Sequence, residues 1–331
     1  MTSFDEQLAT PIRIETGQTI CEPGCYAIDI EQYHSQCCAG FSVSSSGLRL
    51  LEHKSPLHFW SQYIDPDRTE EDKKPFFSIG QAAHTLFLGE QGFHEKFAIR
   101  PETYINAKGE EKPWNNNANA CKDWNADQEE AGLYIITPSQ LEDIKGMARM
   151  LARDPMIRQH GLLSGHIERS LIWQDRETGI WLKARPDVIP PIENTIVDLK
   201  TIGTSASDDD CQRAIGAHGY HMQLALVNMG MEAIFGRTVE EFILLFVETS
   251  APYAYNLKPV DQRAIFLGEC QIRRALRTLA DCMERDHWPT YKGSGNHAYL
   301  PGWTQKTLEA DLEGGLLPDV QTPITYGVAA E

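Results

Sequence analysis

Two aspartates and a lysine lie close together in the stretch from Lys183 to Lys200, KARPDVIPPIENTIVDLK. Side chains alternate between the two faces of an extended strand, so Asp198 and Lys200 are predicted to share one face. Asp187 lies near the end of the preceding apolar run, and the intervening residues PPIEN favour a turn. If the two runs pair as a hairpin, both carboxylates converge beside the ammonium of Lys200.

Such a group has a definite chemistry. Carboxylate oxygens are the ligands that Mg²⁺ prefers. A cation held there acidifies a water and stabilises the charge on a phosphate under attack. Lys200 can orient that water or hold a phosphate oxygen. The alternative is that these are ordinary surface charges, because so short a pattern also arises by chance.

Composition limits the class of protein. The chain has 331 residues, of which 41% are hydrophobic, enough for one enlarged domain or two smaller ones. It has no apolar run of membrane-spanning length, and its polar start has no signal-peptide pattern, so we expect a soluble cytoplasmic protein with no membrane partner. The formal net charge of −17 counts against broad attraction to nucleic acid. A local basic groove remains compatible with it, and binding should depend strongly on cations and salt.

The eight cysteines are predicted to be free thiols, because a chain of this size needs no disulfide scaffold. Soft ligands do gather near the N-terminus, where they suggest zinc as an alternative. Their spacing fits no strong zinc-finger template. The group comprises Cys21, Cys25, His34, Cys37 and Cys38.

Periodicity places helices and strands around the central stretch. Helices are predicted in two pieces across Pro56, from Gly80 to Glu90 after a Ser78 cap, at PSQLEDIKGMARMLARD, from Cys211 to Met231, and from Asp261 to Glu284. Strands are predicted at HIERSLIW and IWLKARPDVI, a hairpin turning at Gly179, and at EFILLFVE and PYAYNLKPV. Residues 1–43 stay unassigned, and residues 101–132 are predicted to be a polar surface loop.

Polar residues outside the central stretch have less specific patterns. His84 sits within a turn of an apolar helix face, where a histidine is usually packed or solvated. Glu168 opens the predicted hairpin and is either an exposed strand-end acid or part of a metal site. Gln223 and Tyr220 share one helix face. Two arginines four apart on the last long helix, Arg273 and Arg277, either follow phosphates or form a solvated face.

Several sequence segments, taken in their order along the chain, resemble those of a known protein family. RPDVI and VDLKT resemble the PD-(D/E)XK nuclease signature. With SGLRLLEHKSPLHFW, SIGQAAHTLFLGE, GYHMQLALVN and HWPTY…LPGW, the chain resembles the exonuclease VIII (RecE-type) family of phage and prophage exodeoxyribonucleases over roughly residues 45–303. The resemblance implies an α/β (α+β) fold, a central mixed sheet flanked by helices with extra N-terminal helices. The nuclease domain would span 44–303, after an N-terminal segment 1–43 and before a tail, 304–331, that is flexible or an oligomer arm.

The resemblance also assigns roles to single residues. The metal ligands would be His84, Asp187, Asp198 and the backbone carbonyl of Leu199, while Lys200 would activate the hydrolytic water. Glu168 would support a second metal, so two Mg²⁺ ions, or Mn²⁺, are expected. The DNA-binding residues would be Gln223, Tyr220, Arg185, Arg273 and Arg277. The aromatic residue that often follows the glutamine is Val227 here, which places that DNA contact in question. No iron–sulfur cluster is expected, because Cys270 and Cys282 offer no tight late trio of cysteines.

The implied activity is metal-dependent hydrolysis of linear double-stranded DNA from its 5′ ends. It would release 5′-phosphorylated nucleotides and leave 3′ single-stranded overhangs for a RecT-like single-strand annealing protein. A homo-oligomer, ring-shaped in this family, is expected in the cytoplasm of a bacterial or phage-infected cell. Two alternatives stay open: an endonuclease using the same site, and a non-catalytic acidic protein that binds DNA or another protein.

Overall fold

Two five-stranded sheets joined by the central stretch form the framework of the protein. A computed structural model of the chain describes residues 8–68, 79–88, 92–291, 295 and 297–317. The strands are β1 (Ile12–Arg13), β2 (Gly24–Ala27), β3 (Ser42–Ser44), β4 (Phe97–Ile99), β5 (Thr103–Ile105), β6 (Glu111–Pro113), β7 (Tyr134–Ile136), β8 (His166–Ile167), β9 (Ser170–Gln174), β10 (Trp181–Ala184), β11 (Val188–Ile189), β12 (Thr195–Ile202), β13 (Glu241–Glu248) and β14 (Tyr255–Pro259).

The helices lie mostly between strands and cover the sheets. In chain order they are α1 (Ile30–His34), α2 (Ser45–His53), α3 (Pro56–Tyr63), α4 (Ile79–Leu88), α5 (Phe93–Lys96), α6 (Asn119–Glu130), α7 (Pro138–Leu151), α8 (Pro155–Gln159), α9 (Asp208–His218), α10 (Tyr220–Phe235), α11 (Gln262–Arg285) and α12 (Gly302–Glu313).

The first sheet has the strand order β1-β2-β9-β10-β3. Its centre is the antiparallel β9–β10 hairpin, in which Trp181 pairs with Gln174. Gly179 has a φ of +72° in the turn of this hairpin, a conformation that glycine adopts without a Cβ clash, so the predicted turn is confirmed. Both outer positions are filled by the N-terminal residues left unassigned from the sequence, since β2 pairs with β9 and β3 pairs with β10.

The second sheet has the strand order β14-β13-β12-β11-β8 and carries the central stretch. Val188 of β11 pairs antiparallel with Val197 of β12, so the predicted hairpin between the two runs is confirmed. The apolar run of β13 pairs parallel with all eight residues of β12. Because side chains alternate along β12, Ile196 packs in one core cluster while Val197 and Leu199 pack in another on the opposite face.

Two predictions for the elements around the sheets need correction. The helix predicted from Cys211 to Met231 is two helices, α9 and α10, because Gly219 adopts a left-handed φ of +64° between them. The stretch predicted as a loop, 101–132, contains the β5–β6 hairpin and helix α6, whose buried residue is Cys121. The Ser78 cap lies outside the described residues.

The chain divides into two units, Met1–Thr290 and Tyr291–Glu331. In the second unit, helix α12 buries none of its residues. No helix in the part of the chain that the structure describes is long and apolar enough to cross a membrane. The predicted fold class is confirmed by the mixed sheets flanked by helices.

Candidate active site

Asp187 and His84 meet at the end of β11. Asp187 precedes this short strand, and its Oδ2 accepts a hydrogen bond from the backbone amide of Leu199 at 2.8 Å. Helix α4 brings His84 to the same carboxylate, with Nδ1 at 3.5 Å from Oδ2. The structure therefore brings together the predicted first aspartate and the predicted helix histidine, from opposite sides of one strand end.

Asp198 and Lys200 form a buried ion pair on the adjacent strand. Asp198 is 1% exposed, and the side chain of Lys200 is 14% exposed. The ammonium of Lys200 lies against Oδ2 of Asp198, and Lys200 also donates to Oε1 of Gln223 at 3.2 Å. Gln223 in turn donates from Nε2 to Oδ1 of Asp198 at 2.8 Å. Three polar side chains thus form one closed network.

The charge of Lys200 is held by its acidic neighbours. Burial by itself lowers the pKa of the Lys200 ammonium, but Asp198 and then Asp187 more than offset this effect, so the pKa is raised. The ammonium also lies 4.7 Å from the ring centroid of Tyr220, a favourable cation–π geometry. Lys200 is therefore a positioned cation, and Tyr220 packs against it as part of the site.

Asp187 has the opposite electrostatic character. Burial, and then the nearby charge of Asp198, raise the pKa of Asp187 to about 6. His84, Lys200 and the Leu199 amide oppose this rise without cancelling it. The negative charges of the two carboxylates are therefore not fully compensated by the single ammonium of Lys200. A further cation would reduce the remaining repulsion between them.

These residues fit a divalent metal ion through the two carboxylates. Oδ2 of Asp198 is buried, accepts no hydrogen bond of good geometry from the residues that the structure describes, and lies against the Lys200 ammonium. Among the described residues, no three His, Cys, Asp or Glu side chains form a cluster ready to hold a metal. Instead, His84 lies against Asp187, and the Lys200 ammonium lies against Asp198.

A cleft of about 180 Å³ opens next to this network. Its walls include Tyr33, His34, Ser46, Arg49, Glu168, Arg185, Asp187 and Gln223. Asp198 and Lys200 do not line it themselves, but both contact Gln223, which does. The predicted role of Gln223 in DNA binding stays a prediction, and the structure adds that its amide is hydrogen-bonded to Asp198 and Lys200.

Glu168 and Arg185 form a second ion pair on the wall of the cleft. Nη2 of Arg185 lies 2.9 Å from Oε2 of Glu168, while its Nη1 donates to the carbonyl of Ile28 at 3.0 Å and to Ser170. Nε of Arg185 is buried and has no hydrogen-bond partner within the described part of the chain. Glu168 is therefore near Asp187 as predicted, but its carboxylate is held by Arg185.

Arg273 and Arg277 lie elsewhere. Nη1 of Arg273 is 2.8 Å from Oδ1 of the buried Asp175, and Nε of Arg277 is 2.6 Å from Oε1 of Glu177. Both acids belong to the β9–β10 turn, at the opposite end of β10 from Asp187. At about 3.3 Å per residue, the seven residues from the turn to Asp187 span roughly 20 Å. Whether this pair of arginines follows phosphates or forms a solvated helix face stays a prediction.

Arg49 is a site residue that sequence reasoning missed. Helix α2 places it in the cleft, where Nη1 donates to the carbonyl of His218 at 2.7 Å and burial lowers the pKa of its guanidinium. The available signal was a single arginine within the apolar face of a helix that opens with three serines, SSSGLRLL. Tyr33 and His34 were missed because they come from the unassigned N-terminal segment.

The mixed sheet, with its paired carboxylates and neighbouring lysine, has the arrangement expected of a PDDEXK-like domain. The chain belongs to the family described as the PDDEXK-like domain of unknown function (DUF3799), whose model matches residues 44–301. This match confirms the resemblance to PD-(D/E)XK nucleases predicted from the sequence.

Two solved structures are similar to the chain. One is a candidate exonuclease from Eubacterium rectale, with 14% identity, coverage of 86% of this chain and 98% of its own, and a TM-score of 0.49. The other is an alkaline exonuclease from Laribacter hongkongensis, with 15% identity, coverage of 51% of this chain and 86% of its own, and a TM-score of 0.23. Among curated proteins, no sequence matches this chain.

Proposed function

We propose that the protein is a divalent-metal-dependent exodeoxyribonuclease that degrades linear double-stranded DNA. The observation that carries the proposal is the meeting of Asp187, Asp198 and Lys200 at one end of the β11–β12 hairpin, next to an open cleft. Buried acids that face each other around a lysine cost folding energy, and structures keep such groups mainly where they perform chemistry.

The reaction is attack of a water on phosphorus with departure of the 3′ oxygen. A divalent metal held by Asp187 and Asp198, with His84 and the Leu199 carbonyl as predicted further ligands, would acidify that water and neutralise the phosphate charge. Lys200 is the residue that orients the water or holds a phosphate oxygen, since its ammonium is already fixed beside both acids. Gln223 fixes Asp198 and Lys200 relative to each other.

The cleft supplies the binding surface. Arg49 and Arg185 place two guanidinium groups on walls that also contain Asp187. Arg185 is anchored by Glu168, so its position is set before a ligand arrives, which reduces the entropic cost of binding. In an acidic protein, these two guanidinium groups are the cations that would attract a phosphodiester toward the catalytic network.

The direction and the role of digestion come from the resemblance of the sequence segments. On that basis we propose 5′-to-3′ digestion, release of 5′-phosphorylated nucleotides, and 3′ overhangs passed to a single-strand annealing protein in homologous recombination. Mg²⁺, a ring-shaped homo-oligomer and a cytoplasmic setting belong to the same proposal.

Digestion of linear and closed-circular duplex DNA tests the proposal. We expect loss of the linear form alone, in Mg²⁺ and not in EDTA, and no digestion by Lys200→Ala. Lys258→Ala is the matched control, because Lys258 pairs with Asp208 at the surface, 2.9 Å away. Label at the 5′ end should be released before label at the 3′ end. Cleavage of circles would establish an endonuclease instead, and no digestion of either form would contradict the enzyme.

A further inference from the structure

Lys183 of β10 and Tyr33 of α1 hold each other through two hydrogen bonds. Nζ of Lys183 donates to the carbonyl of Tyr33 at 2.7 Å, and the hydroxyl of Tyr33 donates to the carbonyl of Lys183 at 3.1 Å. The same ammonium donates to the carbonyl of Ser35 at 2.6 Å. Lys183 is 3% exposed and Tyr33 is 7% exposed. Two residues that lie 150 positions apart in the sequence thus form a closed and buried pair.

The burial of Lys183 is not explained by an acidic partner. Its ammonium bonds to backbone carbonyls, and no carboxylate among the described residues lies within ion-pair distance of it. Moving an ammonium from water into a protein interior costs free energy. An apolar side chain of similar length would avoid that cost, so stability alone does not account for a lysine at this position.

The ring of Tyr33 also supports Arg185. Cζ of Arg185 lies 5.5 Å from the centroid of this ring, and Nζ of Lys183 lies 5.6 Å from the same centroid. Both distances are within the range of a cation–π interaction. Arg185 and Tyr33 line the cleft together with Asp187. The buried pair therefore sits directly behind a guanidinium group of the cleft wall.

Helix α1 is tied to the two cations at both of its ends. Nη1 of Arg185 donates at 3.0 Å to the carbonyl of Ile28, two residues before the helix begins. Lys183 holds the carbonyls of Tyr33 and Ser35 where the helix ends. These bonds fix the helix on β10, and the fixed helix keeps the Tyr33 ring against Arg185.

We propose that Tyr33 and Lys183 are positioning residues for Arg185, and that they fix its guanidinium for contact with a phosphodiester of DNA in the cleft. This inference rests on the proposed function of the cleft as a DNA-binding surface. It adds residues 28–35 to that surface, although they precede the family match, which begins at residue 44. Arg185 is the residue that would touch DNA, and the other two act through it.

The effect of the pair should fall on binding and not on turnover. An arginine that is already held in one orientation loses less conformational entropy when its ligand binds, so the Tyr33 ring should raise the affinity that Arg185 provides. The buried catalytic pair, Asp198 and Lys200, receives none of the hydrogen bonds that Tyr33 and Lys183 make within the described part of the chain.

Steady-state digestion of linear duplex DNA by the full-length protein in Mg²⁺ tests the proposal. Tyr33→Leu should raise KM about fivefold, since it removes a buried cation–π partner, and kcat should change little. Arg185→Ala should raise KM about tenfold or more. If Tyr33 acts through Arg185, the double variant should have the KM of Arg185→Ala alone. Losses that multiply in the double variant would overturn the positioning role.

The salt dependence of KM identifies the same contact. The loss of one phosphate contact should reduce the slope of log(1/KM) against log salt concentration by about one. Arg185→Ala and Tyr33→Leu should both show this reduction, because a missing or displaced guanidinium no longer releases a counterion from DNA. A raised KM for Tyr33→Leu with the slope of the unaltered protein would show that Tyr33 supports the fold and not Arg185.

Two tyrosine variants are the controls. Tyr33→Phe keeps the ring, and Lys183 still holds the backbone carbonyl there, so its KM should stay within about twofold of the unaltered value. Tyr255→Leu removes the ring of a tyrosine that is not part of the cleft wall and donates to Asp154 at 2.6 Å, so its KM should not change. An equal rise in KM for Tyr33→Leu and Tyr255→Leu would overturn the specific role of Tyr33.

Lys183→Met tests the second positioning residue. It removes both hydrogen bonds that hold the end of α1, so KM should rise while kcat changes little. An unchanged KM would overturn the role of Lys183, and the Tyr33 variants carry the test if Lys183→Met does not fold. If the unaltered protein digests DNA and the losses multiply, only the positioning role is overturned. An unaltered protein that digests no DNA would overturn the proposed function and this inference together.

Discussion

Gln223 donates a hydrogen bond to Asp198 over 2.8 Å, from Nε2 to Oδ1, although the two residues lie on different elements. The oxygen of the same amide accepts from Lys200 at 3.2 Å. One amide therefore fixes the relative position of the Asp198 carboxylate and the Lys200 ammonium. Its NH₂ group donates to the first, and its oxygen accepts from the second.

Replacing Gln223 with leucine should therefore reduce turnover more than DNA binding. We expect kcat to fall about tenfold to a hundredfold, because a misplaced catalytic group costs that much. The Kd for a DNA end should change less than threefold. Steady-state digestion and fluorescence anisotropy measure the two quantities. Gln262→Leu, which alters an amide bonded to the Glu240 carbonyl, is the control. A weakened Kd with unchanged kcat would return Gln223 to the DNA-binding surface.

Lys200→Met should destabilise the protein and make it more responsive to Mg²⁺. Removing one partner of a buried ion pair costs about 3 to 5 kcal/mol. Since the ammonium and a metal ion compete for the same carboxylates, Mg²⁺ should raise the Tm of this variant more than that of the unaltered protein. Thermal unfolding with Mg²⁺ or EDTA measures both effects. Lys258→Met, at an exposed pair, should lose no more than about 1 kcal/mol. If Mg²⁺ raised the Tm of Lys200→Met and of the unaltered protein equally, the ammonium and the metal ion would not compete for the same carboxylates.

Asp187→Asn should stabilise the protein at alkaline pH. Burial and then Asp198 raise the pKa of Asp187 from 3.8 to about 6 in the folded state. The folded state thus binds this proton more tightly than the unfolded state does. The destabilisation caused by ionising Asp187 is absent below pH 3.8, grows as the pH rises, and is complete above about pH 6. The variant should gain about 2 to 3 kcal/mol at pH 8, and the gain should disappear near pH 4.

Urea unfolding in EDTA across this pH range measures the gain. Asp208→Asn is the control of opposite sign, since the hydrogen bond from Asn256 and then Lys258 lower the pKa of Asp208. This control should show no gain at pH 8. If the free energies of unfolding of Asp187→Asn and the unaltered protein differed by the same amount at every pH, ionisation of the Asp187 carboxylate would not be the cause of the difference.

Three glycine substitutions separate backbone strain from close packing. Gly219 has a φ of +64°, and an added Cβ would lie 2.8 Å from Nε2 of His53 and 3.1 Å from Cδ of Arg49. Gly219→Ala should cost more than about 2 kcal/mol. Gly236 has a φ of +66° with no atom near its Cβ position, so Gly236→Ala should cost about 1 kcal/mol. Gly216→Ala, in open helical surroundings, should gain up to about 1 kcal/mol. Urea unfolding measures the change in the free energy of unfolding for each variant. Equal losses for Gly219→Ala and Gly236→Ala would show that close packing around Gly219 adds nothing to the backbone strain.

Arg273→Ala and Arg277→Ala should lower the free energy of unfolding by different amounts. Neither should change DNA binding. Arg273 pairs with Asp175, which is buried, whereas Arg277 and Glu177 form a largely exposed pair. We expect a loss of about 1 to 3 kcal/mol for Arg273→Ala and a smaller loss for Arg277→Ala. The salt dependence of DNA binding should be unchanged in the double variant. A flatter salt slope would show that these arginines contact phosphates after all.

The parts of the fold that were predictable carry a strong local pattern. The run EFILLFVE predicts β13 from Glu241 to Glu248, because a short continuous apolar run, here Phe242 to Val247, is typical of a buried strand. The amphipathic pattern near the end predicts α11, whose N-cap is Asp261. The β11–β12 hairpin follows from two apolar runs around turn formers, and it brings Asp187 next to the second strand.

The parts that were not predictable depend on partners distant in sequence. Strands β1 to β3 have two to four residues each, too few to show a hydrophobic period. The outer edges of the β9–β10 hairpin are where β2 and β3 pair, and β1 pairs with β2. The apolar pattern continues across Gly219, so periodicity alone cannot reveal the helix break there. Helix α6 buries little beyond Cys121, which leaves no apolar face to detect. Likewise, the Gln223–Asp198 bond joins two elements whose relative placement no local pattern specifies.

The pairing of β2 with β9 and of β3 with β10 has a practical consequence for anyone who shortens this protein. The family match begins at residue 44, so a truncated protein starting there would lack β1 and β2 and nearly all of β3. Its first sheet would be reduced to the β9–β10 hairpin with two bare edges, which recruit strands from other chains and promote aggregation. The region shared with relatives and the region that must be expressed together therefore have different limits.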